Sequence, residues 1–300
     1  MNTIQRIVAA TDFSAPASRA ARRAARIAQA SNAELHLLHV VHPLALYPGP
    51  EIGVGDLSRH NSIIAVNARA LLEELAATLH SRFGVATQAA TRIGRAHSEI
   101  VDYARAVEAG LVVAGARGEN TLLDLLIGST AARVLRTTAC PVLIVKLHSE
   151  PKPYRDALVA LDFSPGLASA PALCRAIAPE ARVELLHVYD TSLDEQMRQA
   201  DLDAAFIEDY HRRALAEAET RLRAAQPEGD AFTCHVMAGY PAAAIVDRVA
   251  ALRAELVVVG RSGKSGMQEF LLGSVAKDVA NAADCDVLVL PPVASEAVQA

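Results

Sequence analysis

A strand pattern that ends in glycine occurs twice in this chain, and it limits the folds open to it. Leu111-Val-Val-Ala-Gly115-Ala-Arg117-Gly118 is followed by nine residues and then Gly128-Ser129-Thr130. Leu256-Val-Val-Val-Gly260-Arg261-Ser262-Gly263 is followed by nine residues and then Gly273-Ser274-Val275. Each copy reads as a short buried strand, a glycine turn, a loop and a helix start. A continuously apolar strand must be covered on both faces, as in a parallel sheet between helix layers.

The flanking segments repeat too. Thr11-Asp12-Phe13-Ser14 matches Leu161-Asp162-Phe163-Ser164, and Leu37-Leu-His39-Val40 matches Leu185-Leu-His187-Val188. Ile100-Val101-Asp102 matches Ile245-Val246-Asp247, and Cys140-Pro-Val-Leu-Ile-Val145 matches Cys285-Asp-Val-Leu-Val-Leu290. The offset stays between 145 and 150 residues, so this is a duplicated domain rather than a short-period solenoid. The expected domains are residues 1–148 and 154–295, joined by a short charged linker with Pro151 and Pro153. Strands alternating with helices predict two doubly wound α/β domains, each a Rossmann-like parallel sheet.

Composition agrees with that reading. Hydrophobic residues make up 52% of 300, enough for two cores, and there is no Trp. Residues 1–150 hold 15 Lys+Arg and 12 Asp+Glu, a net +3; residues 151–300 hold 14 and 22, a net −8. The total of −5 argues against nucleic acid as a partner. Four cysteines without a CxxC pair suggest neither zinc nor a disulfide framework. No apolar run approaches the roughly 18 residues of a membrane span. A soluble, cytoplasmic protein is expected.

A helix is expected over about 16–30, a long loop from Pro43 to Asn61, and helical periodicity over 62–82. Ser98 is a candidate helix cap. The acidic stretch from Asp194 to Asp209 corresponds to the 43–61 loop, and both suit a lid or an interface. Arg19, Arg22, Arg23 and Arg26 form a stripe, read as a solvated helix face ahead of a docking patch. His36 and His39 have opposite parity on their strand, and a structural role is expected for His39 and His187.

Open parallel sheets bind ligands beyond the carboxyl ends of their strands, where strand order reverses. If the first strand lies beside the fourth, Asp12 and Gly115 flank that crevice, as do Asp162 and Gly260. The glycines allow close backbone approach. Gly128-Ser129 and Gly273-Ser274 open helices, whose unpaired amides and dipole favour an anion. Asp12 and Asp162 suit a base or ribose contact, or a magnesium ion bridging phosphates. Gly263-Lys264-Ser265 looks like the end of a P-loop, but Val258 stands where its first glycine belongs. A glycine turn and a helix cap with no ligand remain the plain alternative.

These motifs resemble the universal stress protein family, and the chain looks like two such domains in tandem, packed as an internal pseudo-dimer. Both repeats satisfy the family's G-2x-G-9x-G-(S/T) signature. The resemblance implies ATP, optionally with Mg2+, as cofactor. It implies nucleotide contacts from Asp12, Val40, Gly115, Arg117, Gly118, Gly128, Ser129 and Thr130. The second set is Asp162, Val188, Gly260, Ser262, Gly263, Gly273, Ser274 and Val275. It implies a stress-response or signalling module with little or no hydrolysis and no catalytic residue. Binding of another small ligand on an inherited scaffold, or slow ATPase activity, stays open, as does a homodimer or a protein partner. Departures are Asp286 in place of the family's proline, and Asn281 where Arg136 stands. Near the phosphate loop repeat two has Arg261 and Lys264, while repeat one has Arg117 followed by Glu119 and Asp124, which leads to the expectation of tighter phosphate binding in repeat two.

Overall fold

The computed structural model describes residues 4–43, 54–116, 127–146, 151–191, 197, 200, 203–227, 232–262 and 271–292, with 54–60 as backbone alone. The chain divides into two units, Met1–Lys152 and Pro153–Ala300.

In the first unit β1 (Arg6–Ala10), α1 (Ala15–Ser31), β2 (Glu34–Val41), α2 (Val54–Phe83) and β3 (Thr87–Ile93) are followed by α3 (Ala96–Ala106), β4 (Leu111–Gly115), α4 (Ser129–Thr137) and β5 (Val142–Val145). The strand order is β3-β2-β1-β4-β5, every neighbour parallel. The chain runs outward from β1 to β3, then returns to the other side of β1. Right-handed crossovers therefore put α1 and α2 on one face and α3 and α4 on the other. The packing of α1 with α2, and of α3 with α4, agrees.

The second unit repeats the plan with β6 (Asp156–Ala160), α5 (Ala170–Ile177), β7 (Arg182–Asp190), α6 (Ala204–Ala224), β8 (Phe232–Gly239), α7 (Pro241–Leu252), β9 (Leu256–Gly260), α8 (Ser274–Ala282) and β10 (Asp286–Leu290). Its order is β8-β7-β6-β9-β10, again parallel. Ile7, Val8, Leu35, Leu37, Val112, Val113 and Leu143 have no exposed surface in the first unit. Leu158, Val159, Leu185, Val257, Val258 and Leu288 have none in the second. The strands carry branched aliphatics and the helices facing them carry alanine. Small helix residues let the layers approach closely without aromatic filling.

Four local expectations need correction. The Pro43–Asn61 loop is too long, because α2 already starts at Val54. The prolines end at Pro50 and the glycines at Gly55, so nothing beyond them interrupts a helix. The acidic stretch likewise turns helical at Ala204, where the Asp203 side chain caps by accepting from the Ala205 amide. Ser98 lies inside the first turn of α3, whose N-cap is Arg95. The arginine stripe is no simple solvated face: Arg23 is buried and donates to the Lys152 carbonyl, and Arg26 donates to the Pro151 carbonyl at 2.8 Å. Two stripe cations thus hold the end of their own unit.

The Asp286 departure also has a structural basis. Its buried carboxylate accepts a 2.6 Å hydrogen bond from the Tyr154 hydroxyl. Its amide, which a proline would lack, donates to the Glu255 carbonyl at 3.1 Å. On the other side of the second unit, Glu184 on β7 is buried and takes two hydrogen bonds, at 2.7 and 2.6 Å, from Arg248 on α7.

Candidate nucleotide crevice

The carboxyl end of β1 is shaped by Asp-Phe-Ser. Asp12 Oδ1 accepts from the Ser14 amide at 3.1 Å, an Asx turn that reverses the chain. Ser14 Oγ then accepts from the Ala17 amide at 3.3 Å and caps α1. Between them Phe13 is held at φ 65°, a left-handed conformation that is costly for a bulky residue. Its ring stacks on His39 with centroids 4.6 Å apart. His39 Nδ1–H donates to the Thr11 carbonyl at 2.9 Å. One imidazole on β2 therefore fixes the turn after β1 through a stack and a hydrogen bond. The second unit keeps the device: Phe163 has φ 61°, stacks on His187 at 4.4 Å, and His187 donates to the Leu161 carbonyl at 2.6 Å. The structural role expected for both histidines is what the geometry assigns.

A crevice of about 450 Å³ opens in the first unit at the carboxyl ends of β1, β2 and β4, where strand order reverses. Six expected site residues line it: Asp12, Val40, Gly115, Gly128, Ser129 and Thr130. Apolar walls come from Leu38, Ile100 and Val134, and Ala17 lies among the lining residues. Asp12, Ser129 and Thr130 are exposed to solvent, as is His42 at the end of β2. His42 was missed in the sequence. Strand parity could have found it, since Leu38, Val40 and His42 alternate onto one face.

At the far wall the Gly128 amide donates to the Ala116 carbonyl at 2.8 Å, which closes the loop. The helix-start amides left for a ligand are then those of the first α4 turn, from Ser129 onward, with two hydroxyls beside them. Arg133 follows one turn later. His97, at the start of α3, has its pKa pushed below the usual imidazole value by burial first, then by Arg133 and Arg95. Arg133 and Arg95 are thus the cations nearest this imidazole.

In the second unit Asp162 follows the end of β6 by two residues, Val188 lies two residues before the end of β7 and Gly260 ends β9, while Gly273 caps α8 and Ser274 and Val275 open it. Asp162 Oδ1 accepts from the Ser164 amide at 2.8 Å. The Gly273 amide donates to the Arg261 carbonyl at 2.8 Å, as Gly128 does to Ala116. Ser262 is the next residue after Arg261, half-buried. Arg117, Gly118 and Gly263, together with Glu119, Asp124 and Lys264, lie outside the described residues. Among the described residues no group of three His, Cys, Asp or Glu side chains could hold a metal ion. No helix among them is long and apolar enough to cross a membrane.

Fold and crevice define a tandem α/β protein whose first unit opens a crevice at the switch point of its parallel sheet. The model described as Universal stress protein family matches residues 3–146 and again 153–291, so the chain belongs to the universal stress protein family. Universal stress protein Rv2005c of Mycobacterium tuberculosis is 33% identical over 187 residues, 61% of this chain and 62% of that protein. The match thus spans less than two thirds of that relative's length. Universal stress protein Rv2623 of the same organism is 30% identical over 217 residues, 68% of this chain and 72% of its own. The crystal structure of a universal stress protein from Archaeoglobus fulgidus shares the fold with a TM-score of 0.70 at 19% identity, covering 97% of this chain and 99% of that one.

Proposed function

We propose that the first unit binds an adenine nucleotide, ATP in the first instance, and that the protein acts as a nucleotide-dependent stress-response or signalling module. The observation that carries this reading is the convergence of six expected contact residues, three of them from the glycine signature, on one crevice of about 450 Å³. That volume lies within the ordinary range for small-molecule sites. Apolar walls at Val40, Leu38 and Ile100 suit a purine. Gly115 admits a ribose close to the backbone, and the first turn of α4 suits phosphate oxygens. Asp12, exposed at the crevice, suits a ribose contact or, with phosphate oxygens, a magnesium shell; one carboxylate plus phosphates is a donor set that this ion accepts.

Turnover is expected to be slow. Among the described residues Asp12 is the one carboxylate lining the crevice, and the Ser14 amide ties its Oδ1 to the turn. A general base must be aimed at the attacking water, and this hydrogen bond fixes the Asp12 carboxylate toward its own backbone instead. The test is mass spectrometry of ligand released from undialysed protein, followed by thermal melting with ATP and magnesium and a phosphate-release assay. Bound adenine nucleotide, or a melting temperature that rises with ATP, supports the reading. Absence of both overturns it, and sustained phosphate release would make the protein an ATPase.

A further inference from the structure

The two crevices are not copies, and the difference begins where the first strand of each unit ends. In the first, Ser14 caps a helix that runs unbroken from Ala15, and Ala17 lines the crevice. In the second, Pro165-Gly166-Leu167 forms a 3-10 turn, with the Leu167 amide donating to the Ser164 carbonyl at 3.0 Å, and α5 waits until Ala170. Leu167 holds the place of Ala17 and is 3% exposed. A Cβ built on Gly260 would meet Leu167 Cδ1 at 3.2 Å and Cγ at 3.3 Å. The leucine therefore lies on the open face of Gly260, the glycine that begins the second signature. Asp162 is correspondingly half-buried where Asp12 is exposed.

Polar positions change in the same sense. His42 at the crevice rim is replaced by the exposed carboxylate of Asp190. Thr130 in the first turn of α4 is replaced by Val275, which removes a hydroxyl donor. Against these stands the local charge of Arg261 and Lys264, but the Arg261 side chain is buried. Screened charge at a surface tunes affinity for a ligand that already fits, whereas a side chain in the ligand's volume denies it a place.

We propose that the chain binds one nucleotide, in the first crevice, and that Leu167 closes the second, so that the second signature persists without a ligand. This rests on the nucleotide reading above. The full chain is titrated with ATP and magnesium by calorimetry, and hydrogen exchange is followed with and without ATP. One equivalent per chain, with new protection in residues 111–137 and none in 256–282, is the expected result. Two equivalents, or protection in 256–282, overturn this inference and leave the nucleotide reading standing. No binding in calorimetry overturns both. Ala17→Leu, which copies the plug into the first crevice, is expected to lower ATP affinity at least tenfold while the protein still melts cooperatively. Wild-type affinity in that folded variant would overturn the role given to Leu167. Should the variant fail to fold, the hydrogen-exchange comparison still decides.

Discussion

The amide of Gly128 donates to the carbonyl of Ala116 at 2.8 Å, so the loop that leaves β4 is pinned shut where α4 begins. The second unit has the same bond between Gly273 and Arg261, with nearly the same backbone angles at the glycine, −58° and 149° against −59° and 152°. This gives the third glycine of the signature a physical task. A Cβ on Gly273 would lie 3.1 Å from the Arg261 carbonyl oxygen, a backbone atom that can yield only by opening the loop. Neither glycine has positive φ, so at Gly273 it is close approach and not backbone strain that opposes a side chain.

Gly273→Ala is therefore expected to destabilise the second unit by about 1–3 kcal/mol, the usual cost of forcing a methyl into a packed site. Gly128→Ala should do the same in the first unit and also weaken ATP binding. Urea denaturation of each variant and calorimetry of the second measure both. Wild-type stability in Gly273→Ala would show that the loop opens freely.

His39→Ala removes both the stack on Phe13 and the hydrogen bond to Thr11. The left-handed Phe13 then loses its support, at an expected cost of about 1–3 kcal/mol from one hydrogen bond and one ring contact. For a unit of this size that is a fall in melting temperature of roughly 2–10 °C. ATP affinity should fall as well, because Asp12 precedes the loosened turn. His39→Gln, which can still donate, should recover part of the stability.

Leu167→Ala deletes a buried side chain from the second unit. Large-to-small core changes cost about 2–5 kcal/mol, and the lower end is expected here because a crevice mouth admits water. Denaturant midpoints read this directly. Loss below about 0.5 kcal/mol would mean that the leucine packs loosely against Gly260.

Histidine 97 provides a pH test. Its pKa is lowered in the folded protein, so the neutral ring is the form the fold prefers. The folded state then takes up this proton less readily than the unfolded chain, and stability falls as pH drops below the usual imidazole value near 6.5. The loss should be small because the ring is only half-buried. A bound polyphosphate offsets the repulsion from Arg133 and Arg95, so ATP should raise the His97 pKa. NMR titration of the imidazole with and without ATP checks this, and an unchanged pKa would place the phosphates away from α3.

The duplication, the strand-to-glycine joints and the two helix starts were legible because they depend on local rules. A continuous apolar run and a glycine at a turn or helix start each leave a mark within a few neighbouring residues. His42 had a local mark too, the strand parity it shares with Leu38 and Val40. The first unit's crevice was legible only as a rule about switch points, yet it gathered the residues that the rule named.

Other features depended on residues far apart in the chain. Arg23 and Arg26 meet carbonyls more than a hundred positions later, and Tyr154 meets Asp286 across the whole second unit. No periodicity records such pairs. The contrast between the two signatures is of the same kind. From the linear chain, identical spacing and the cations near repeat two pointed to two phosphate sites, the second the stronger. Sequence determined that there are two glycine loops of one design. Tertiary structure decided that Leu167, ninety-three residues before Gly260, lies on that glycine while Ala17 leaves the first crevice open, because occupied volume depends on where a side chain comes to rest and not on the spacing of the residues that carry the signature.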